Sequence, residues 1–442
     1  MLFISNVLLY NTSTYGKRTA GWGSHMHLFN YKQGRLYAEG VPVRDLVEAY
    51  GTPLYIYSYG TLLRHFKAYD DAFDGVPHIV CFALKANSNT SILRLFAKNG
   101  GGADVVSGGE VFRALKAGIP ARRIVYAGVG KTEQEIRYAL KCKILMFNVE
   151  SESELVEIDR IAGTMQVKAP IALRVNPDVD PETHPYISTG LRTHKFGVPI
   201  ESAFEYYRLA GRLRNTEIVG IHKHIGSQIT KVSPFVDALK KTLLLVDELA
   251  RYGVKIRYMD IGGGLGITYK DEEPPVPRDL AKGVLPLLKG RGLTIIMEPG
   301  RSIVGNAGIL VTKVLYVKTG EEKDFVIVDA GMNDLIRPSF YGAYHHIQPI
   351  EKKRRKSMLA DVVGPICESG DFLGKEREMP NVKPGECLAV MSAGAYGFSM
   401  GSNYNSRPRA AEVMVKGKDF ALVNKRETFK DLMRGESVPV FI

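Results

Sequence analysis

The chain has 442 residues, 45% of them hydrophobic and 24% charged. That composition is globular, too apolar for a disordered chain, and the length suits two or three domains with one large core. A net charge of +12 would suit nucleic acid, but the basic residues are dispersed, and the one dense run, Lys352–Lys356, has no interleaved aromatics and reads as a solvated loop.

Residues 1–25 contain no acidic side chain, are rich in Ser, Thr, Gly and Tyr, and show no helical period. They are expected to be a non-native or disordered extension outside the fold, because a more regular pattern begins at Met26. Met1–Tyr10 lacks a basic start and a small-residue cleavage site, and no run approaches the roughly 18 apolar residues of a membrane span, so the body reads as cytoplasmic, with no membrane partner. Cys81, Cys142, Cys367 and Cys387 form neither a disulfide framework nor a metal-binding spacing, which fits a reducing compartment.

Leu36–Ala38 and Leu54–Tyr57 are strand-like. From about residue 60 one grammar repeats, an apolar strand followed by an amphipathic helical stretch. The strands are His78–Ala83, Ala103–Val106, Ile124–Ala127, Ile144–Val149, Ile171–Val175, Ile218–His224, Tyr258–Ile261 and Thr294–Glu298. Helices such as Ser91–Lys98, Gly109–Ala117, Thr132–Leu140 and Pro234–Arg251 separate them. Eight such units without a dinucleotide fingerprint favour an α/β fold of the closed (β/α)8 TIM-barrel type over 60–305, rather than an open doubly wound sheet. After Arg301 the pattern becomes β-rich, at Leu310–Val317, Phe325–Asp329, Ala360–Val363, Cys387–Met391 and Ala411–Val415. A C-terminal β domain of sandwich or barrel kind is expected over 306–442, and 26–59 would add N-terminal strands to it, so that the barrel is inserted between its halves.

Polar clusters fall at the C-terminal ends of the barrel strands, where active sites of such barrels sit. The first strand delivers Lys85; beside apolar neighbours its amine is expected to lose its proton near neutral pH and attack a carbonyl carbon, though most strand-end lysines are simply solvated. The sixth ends in His222-Lys-His224-Ile-Gly-Ser227, the seventh in Asp260-Ile-Gly262-Gly263-Gly264-Leu-Gly266, and the eighth in Glu298-Pro-Gly300-Arg301. A glycine triplet exposes backbone N–H groups to a phosphate or makes a tight turn. Glu298 suits a protonated ring nitrogen or a salt bridge to Arg301. His224 suits stacking on a ring or a structural role. Cys367 is a reactive thiol or a small buried residue.

Taken together, Phe82-Ala-Leu-Lys85-Ala-Asn87, His224-Ile-Gly-Ser-Gln228, Gly262–Gly266, Glu298-Pro-Gly-Arg301 and Cys367-Glu-Ser-Gly-Asp371 resemble the pyridoxal-phosphate-dependent decarboxylases of the alanine-racemase-like fold. The likeness runs from about Met26 to the C-terminus. Thr183–Gly190, Lys195-Phe-Gly197 and Arg337–His345 resemble the members acting on meso-diaminopimelate more than those acting on ornithine or arginine. The resemblance implies that Lys85 carries pyridoxal 5'-phosphate as a Schiff base, Glu298 keeps the pyridine nitrogen protonated, and His224 stacks on the ring. It implies that Ser227, Gly264, Gly300 and Tyr396 bind the phosphate, with Gly263, Arg301 and Asp104 beside the cofactor. The amino-acid substrate would be bound by Arg301, Arg337, Tyr341, Glu368 and Tyr396, with the arginines on its remote carboxylate and Glu368 on its remote ammonium. Cys367 would return the proton from the other subunit of a homodimer with shared sites. The implied reaction makes L-lysine and CO2, the last step of lysine biosynthesis.

One departure is Lys223, where a small residue is expected; it would add a charge near the cofactor. Decarboxylases of ornithine, arginine or carboxynorspermidine are the nearest alternatives. An amino-acid racemase on the same fold is disfavoured by Glu298, since an arginine faces the ring nitrogen in alanine racemase. A non-enzymatic cofactor carrier is disfavoured by the β domain.

Overall fold

The computed structural model describes residues 26–180, 195–321 and 323–442. The eight barrel strands are His78–Ala83, Gly102–Val105, Ile124–Tyr126, Met146–Val149, Ala169–Asn176, Thr216–His222, Tyr258–Asp260 and Thr294–Met297. Each pairs in parallel with the next, with Phe147 opposite Ile171 and Ile221 opposite Met259. The last pairs with the first, Ile296 opposite Ile79, so the sheet closes into a TIM-like barrel. Helices in the first half of the barrel start on side-chain caps: Ser107 accepts from the N–H of Glu110, Ser151 from that of Glu154, and Thr132 forms a reciprocal capping box with Glu135.

Alternation along each strand sorts the side chains. Val80, Phe82, Phe147 and Ile295 face the helices and join the main core, whereas Ile79, Cys81, Val125, Met146, Ala172 and Ile296 fill the lumen. One step further along the same inward rows stand Asp104, Asn148, Arg174, His222, Asp260 and Glu298, all buried. The barrel is thus apolar below and polar at the end where its strands finish.

In the β-rich part, Leu54–Ser58 lies between Gly308–Lys318, antiparallel to it, and Ala411–Lys416, parallel to it. The sheet extends through Asp324–Val328, Ser357–Val363 and Phe372–Pro380 on one side and to Asp419–Asn424 on the other. Those two outer strands escape a reading of apolar alternation because they carry exposed charges such as Lys375, Glu376 and Asp419. Leu36–Ala38 differs from expectation in its partner. It pairs with Phe29–Lys32 and Val41–Pro42 in a separate three-stranded sheet, which packs on the large one through Phe29, Leu36, Ile309 and Val413. Of the basic run, Lys353 and Arg355 pair with Glu386 and Lys352 covers the Tyr31 ring.

The β-rich part grips the segment that carries Lys85. Asn87 Nδ2 donates to the Gly394 carbonyl at 3.1 Å, and Tyr396 N–H donates to the Ala86 carbonyl at 2.8 Å. A Cβ on Gly394 would collide with the Val304 carbonyl, so the approach of its backbone to the Val304–Gly308 segment requires glycine. Among the described residues no helix is long and apolar enough to cross a membrane, and all four cysteines are free.

Candidate active site

Lys85 sits in a short turn, Leu84–Ala86, where the first strand ends. Its neighbours Leu84 and Ala86 are buried, its own side chain is 37% exposed, and its Nζ lies 2.8 Å from Asp104 Oδ2. Burial pulls the amine's pKa down, but the carboxylates of Asp104 and Glu298 outweigh it and hold it above the ordinary lysine value. The expected loss of its proton near neutral pH is therefore corrected: the apolar neighbours are present, but opposite charges in the lumen dominate. Asp104, anticipated only as a residue near the cofactor, is the lysine's direct ion partner. Its carboxyl is itself pushed up by burial and by Glu298, and its Oδ1 has no hydrogen-bond partner among the described residues.

Glu298 is the centre of the polar layer. His222 Nε2 lies 3.3 Å from its Oε2, and Asn148 Nδ2 donates to its Oε1 and to Asp260 Oδ2, both at 3.3 Å. Burial alone would raise its pKa; His222 and Lys85 oppose that and hold it well below the usual carboxylate range. Burial and the neighbouring Glu298 push the Asp260 carboxyl the other way, above its ordinary value. Ligand atoms of His222, Asp260 and Glu298 lie within 4.8 Å of one another, a spacing that could hold a cation. The Asn148 amide hydrogens aimed at both carboxylates oppose one there. Arg301 does not take the salt bridge to Glu298 that the sequence left open.

Around this layer the loops after strands six to eight interlock. A Cβ on Gly263 would strike the Glu298 carbonyl, and one on Gly264, at φ +123°, would strike the Gly226 carbonyl. His224 Nδ1 accepts from the Gly263 N–H at 3.2 Å; burial and Arg174 hold its pKa well below the ordinary value, so the ring is neutral. Among the described residues the N–H groups of Gly264 and Gly300 donate to no protein acceptor. Ser227 Oγ accepts from Arg301 Nε at 3.3 Å and Nη2 at 3.2 Å. Tyr396, at φ +56°, stands with its ring 5.0 Å from the Arg301 guanidinium.

Arg301 and Arg337 meet on Tyr269. Arg301 Nη1 donates to Tyr269 Oη at 2.7 Å, and the Arg337 guanidinium lies 4.7 Å from the centre of the same ring. Arg337 Nη1 also bonds His345 Nε2 at 2.9 Å. Tyr341 is near enough to act electrostatically on both guanidinium groups. Cys367 and Glu368 are exposed; the Cys367 N–H donates to Asn405 Oδ1, and Tyr404 Oη donates to Glu368. No contact among the described residues joins either one to Lys85, Glu298 or Arg301. Thr183–Gly190 lies outside the described residues. In Lys195-Phe-Gly197, Phe196 stacks under Arg174 and the Gly197 N–H donates to Glu150.

Lys223 needs a correction. It follows inward-facing His222, so alternation turns its side chain out of the lumen, where it is buried against Phe235 of the helix Ser233–Arg251. Its charge is therefore in the helical layer, not beside the cofactor. Sequence reasoning singled out the stretches that hold His222, Asp260 and His345 but gave those residues no role, and it missed Asn148 and Tyr269. Asn148 had a signal in the alternation of its strand, whereas Tyr269 had none.

Fold and site together define a barrel of the enzyme type, with a lysine amine and a buried carboxylate in the same lumen and a glycine-rich rim. A phosphorylated pyridine aldehyde fits these groups: Lys85 for its aldehyde, Glu298 for its ring nitrogen, and the Gly264 and Gly300 N–H groups with Ser227 for its phosphate. The orphaned Asp104 Oδ1 leaves an acceptor for it as well. Residues 59–305 match the family profile described as "Pyridoxal-dependent decarboxylase, pyridoxal binding domain". A diaminopimelate decarboxylase of Aquifex aeolicus is 55% identical over 400 residues, 90% of this chain and 95% of the relative. One from Vibrio cholerae is 52% identical over 93% of this chain and 99% of its own length. Among solved structures, the Helicobacter pylori diaminopimelate decarboxylase complexed with L-lysine is 46% identical, with a TM-score of 0.86 over 89% of this chain and 98% of that one. The M. jannaschii enzyme in co-complex with L-lysine is 41% identical, with a TM-score of 0.89 over 94% and 98%. The chain belongs to the diaminopimelate decarboxylase family of pyridoxal-phosphate-dependent carboxy-lyases.

Proposed function

We propose that the chain decarboxylates meso-2,6-diaminopimelate to L-lysine and CO2 with pyridoxal 5'-phosphate held on Lys85, closing lysine biosynthesis. The observation that carries this is Glu298, a buried carboxylate kept charged in the same lumen as the lysine amine. When bound, the cofactor supplies a sink for the electron pair left on the α-carbon as CO2 departs. Lys85 must first give up a proton, and Asp104 Oδ2, at 2.8 Å and with its acidity weakened by burial, is placed to take it. Glu298, held in place by His222 and Asn148, would accept a hydrogen bond from the ring nitrogen. Neutral His224, fixed at Nδ1 by Gly263, would lie against the ring. Ser227, Gly264, Gly300 and Tyr396 would hold the phosphate, with Gly263 beside the cofactor and Arg301 on Ser227.

Arg301, Arg337, Tyr341, Glu368 and Tyr396 bind the substrate, the arginines taking its remote carboxylate and Glu368 its remote ammonium. Cys367 returns a proton to the α-carbon, in place of the departed CO2, from a second copy of the chain. The exposure of Cys367 and Glu368 supports such a homodimer with shared sites. The chain divides into 26–59, which lends strands to the β domain, a cofactor-binding barrel over 60–305, and the β domain proper over 306–442. Four free cysteines support a place in the cytoplasm. The test is an assay of purified protein with meso-diaminopimelate, ornithine, arginine and carboxynorspermidine, following CO2 and amine product. Preference for meso-diaminopimelate is expected, and preference for ornithine would overturn the reading. Borohydride should trap the cofactor on Lys85 in the peptide map.

A further inference from the structure

Arg301 and Arg337 are each only 6% exposed, and among the described residues neither is paired with a carboxylate. Buried cations are ordinarily neutralised by an acid, because an uncompensated charge out of water is costly. Here every recorded partner is neutral: the Ser227 hydroxyl, the hydroxyl and ring of Tyr269, the Tyr396 ring and the His345 imidazole. His345 is fully buried, and its Nδ1 lies 2.9 Å from the Met391 carbonyl. A carbonyl only accepts, so Nδ1 carries the hydrogen and Nε2 presents a lone pair to Arg337 Nη1. Burial and Arg337 push the imidazole's pKa down to about 3, so it stays neutral. Tyr269 joins the two halves: its hydroxyl accepts from Arg301, its face carries Arg337, and its ring meets that of His345 edge-on at 5.3 Å.

We infer that Tyr269 and His345 are positioning residues that space the two guanidinium groups and orient them without neutralising them, leaving a doubly cationic pocket that the remote carboxylate of the substrate completes. A carboxylate in place of His345 would orient Arg337 equally well but cancel the charge the substrate must meet. The inference rests on the proposed decarboxylation of meso-diaminopimelate and adds two residues that set its specificity.

The experiment uses the cofactor-loaded enzyme with His345→Leu, His345→Gln and Tyr269→Phe. L-Lysine keeps the carboxylate distant from the reacting centre and 1,5-diaminopentane lacks it, so the two amines serve as inhibitors that differ in that group alone. His345→Leu should raise KM for meso-diaminopimelate roughly 10- to 100-fold, with kcat within about threefold of wild type. It should weaken L-lysine inhibition in parallel and leave that by 1,5-diaminopentane unchanged. His345→Gln, which returns an acceptor, should recover most of the KM, and Tyr269→Phe should raise it by roughly tenfold. In an Arg337→Ala background His345→Leu should add nothing, because it acts through Arg337. A KM within about twofold of wild type for His345→Leu, equal weakening of both inhibitors, or additive losses in the double variant would overturn the inference. Wild type failing on meso-diaminopimelate would instead sink the functional reading beneath it.

Discussion

At the barrel mouth the cations have acid partners within the chain: Lys85 on Asp104, Arg174 on Glu150 and Lys131 on Glu154. Toward the β-rich part, Arg301 and Arg337 are buried against aromatic rings, a serine and a neutral imidazole instead. The first region neutralises itself and can hold its geometry before any ligand arrives. The second keeps its charge for an anion. On the proposed function, the groups that would act on the cofactor are thus set on paired strand ends, whereas those that would recognise the substrate are left electrostatically incomplete.

The largest effect is expected from breaking each region in a different copy of the chain. Lys85→Ala and Cys367→Ala should each lower activity on the order of a thousandfold or more. When the two are mixed under subunit exchange, activity should return to about a quarter of wild type, since half the dimers then carry one intact site. No recovery despite proven exchange would mean that each site is built within one chain.

Next comes Arg337→Ala, which removes one uncompensated charge. Losing a partner from a buried ionic contact costs about 2 to 5 kcal/mol, or roughly 30-fold to several-thousand-fold in kcat/KM. The visible absorbance of the Lys85-bound cofactor should survive, because Arg337 touches neither ring nor phosphate in this reading. Loss of cofactor would move Arg337 from the second region to the first.

Lys223 sharpens the comparison from outside both regions, as a buried cation that no substrate needs. Its Nζ lies 3.5 Å from the Phe235 carbonyl, with no acid partner among the described residues, and burial pushes its pKa down to about 7. Between about pH 7 and 10.4 the unfolded chain binds a proton at this lysine that the folded chain does not, so its destabilising effect grows as pH falls through that window and is constant below it. Lys223→Met should therefore stabilise the protein by roughly 4 kcal/mol at pH 7, with the gain shrinking toward pH 10. Denaturation at several pH values measures it, and a gain that does not vary with pH would show that packing, not ionisation, is responsible.

The smallest expected effect lies on the barrel rim. Thr132→Ala removes a helix cap and should cost about 1 kcal/mol in urea unfolding while leaving kcat unchanged. A fall in kcat would mean that the rim is less self-sufficient than its paired charges imply.

By itself the sequence determined the repeating strands of the barrel, the placement of Lys85 and Glu298 at strand ends, and the glycines that interlock the rim. Each is encoded within a few residues, by a period of two or by the space a missing Cβ leaves. Alternation even held the direction of Lys223, one step after inward-facing His222. Tertiary structure decided the rest. Leu36–Ala38 found other strands because pairing depends on which edge is free. The Lys85 amine stayed charged because Asp104 and Glu298, from other strands, outweigh its apolar neighbours. Tyr269 and His345 received no role from the sequence, since what they do depends on contact with arginines that only the fold brings against them. Periodicity is a property of a segment, but the field at an amine and the partner of a guanidinium are properties of whatever the fold brings within a few ångströms.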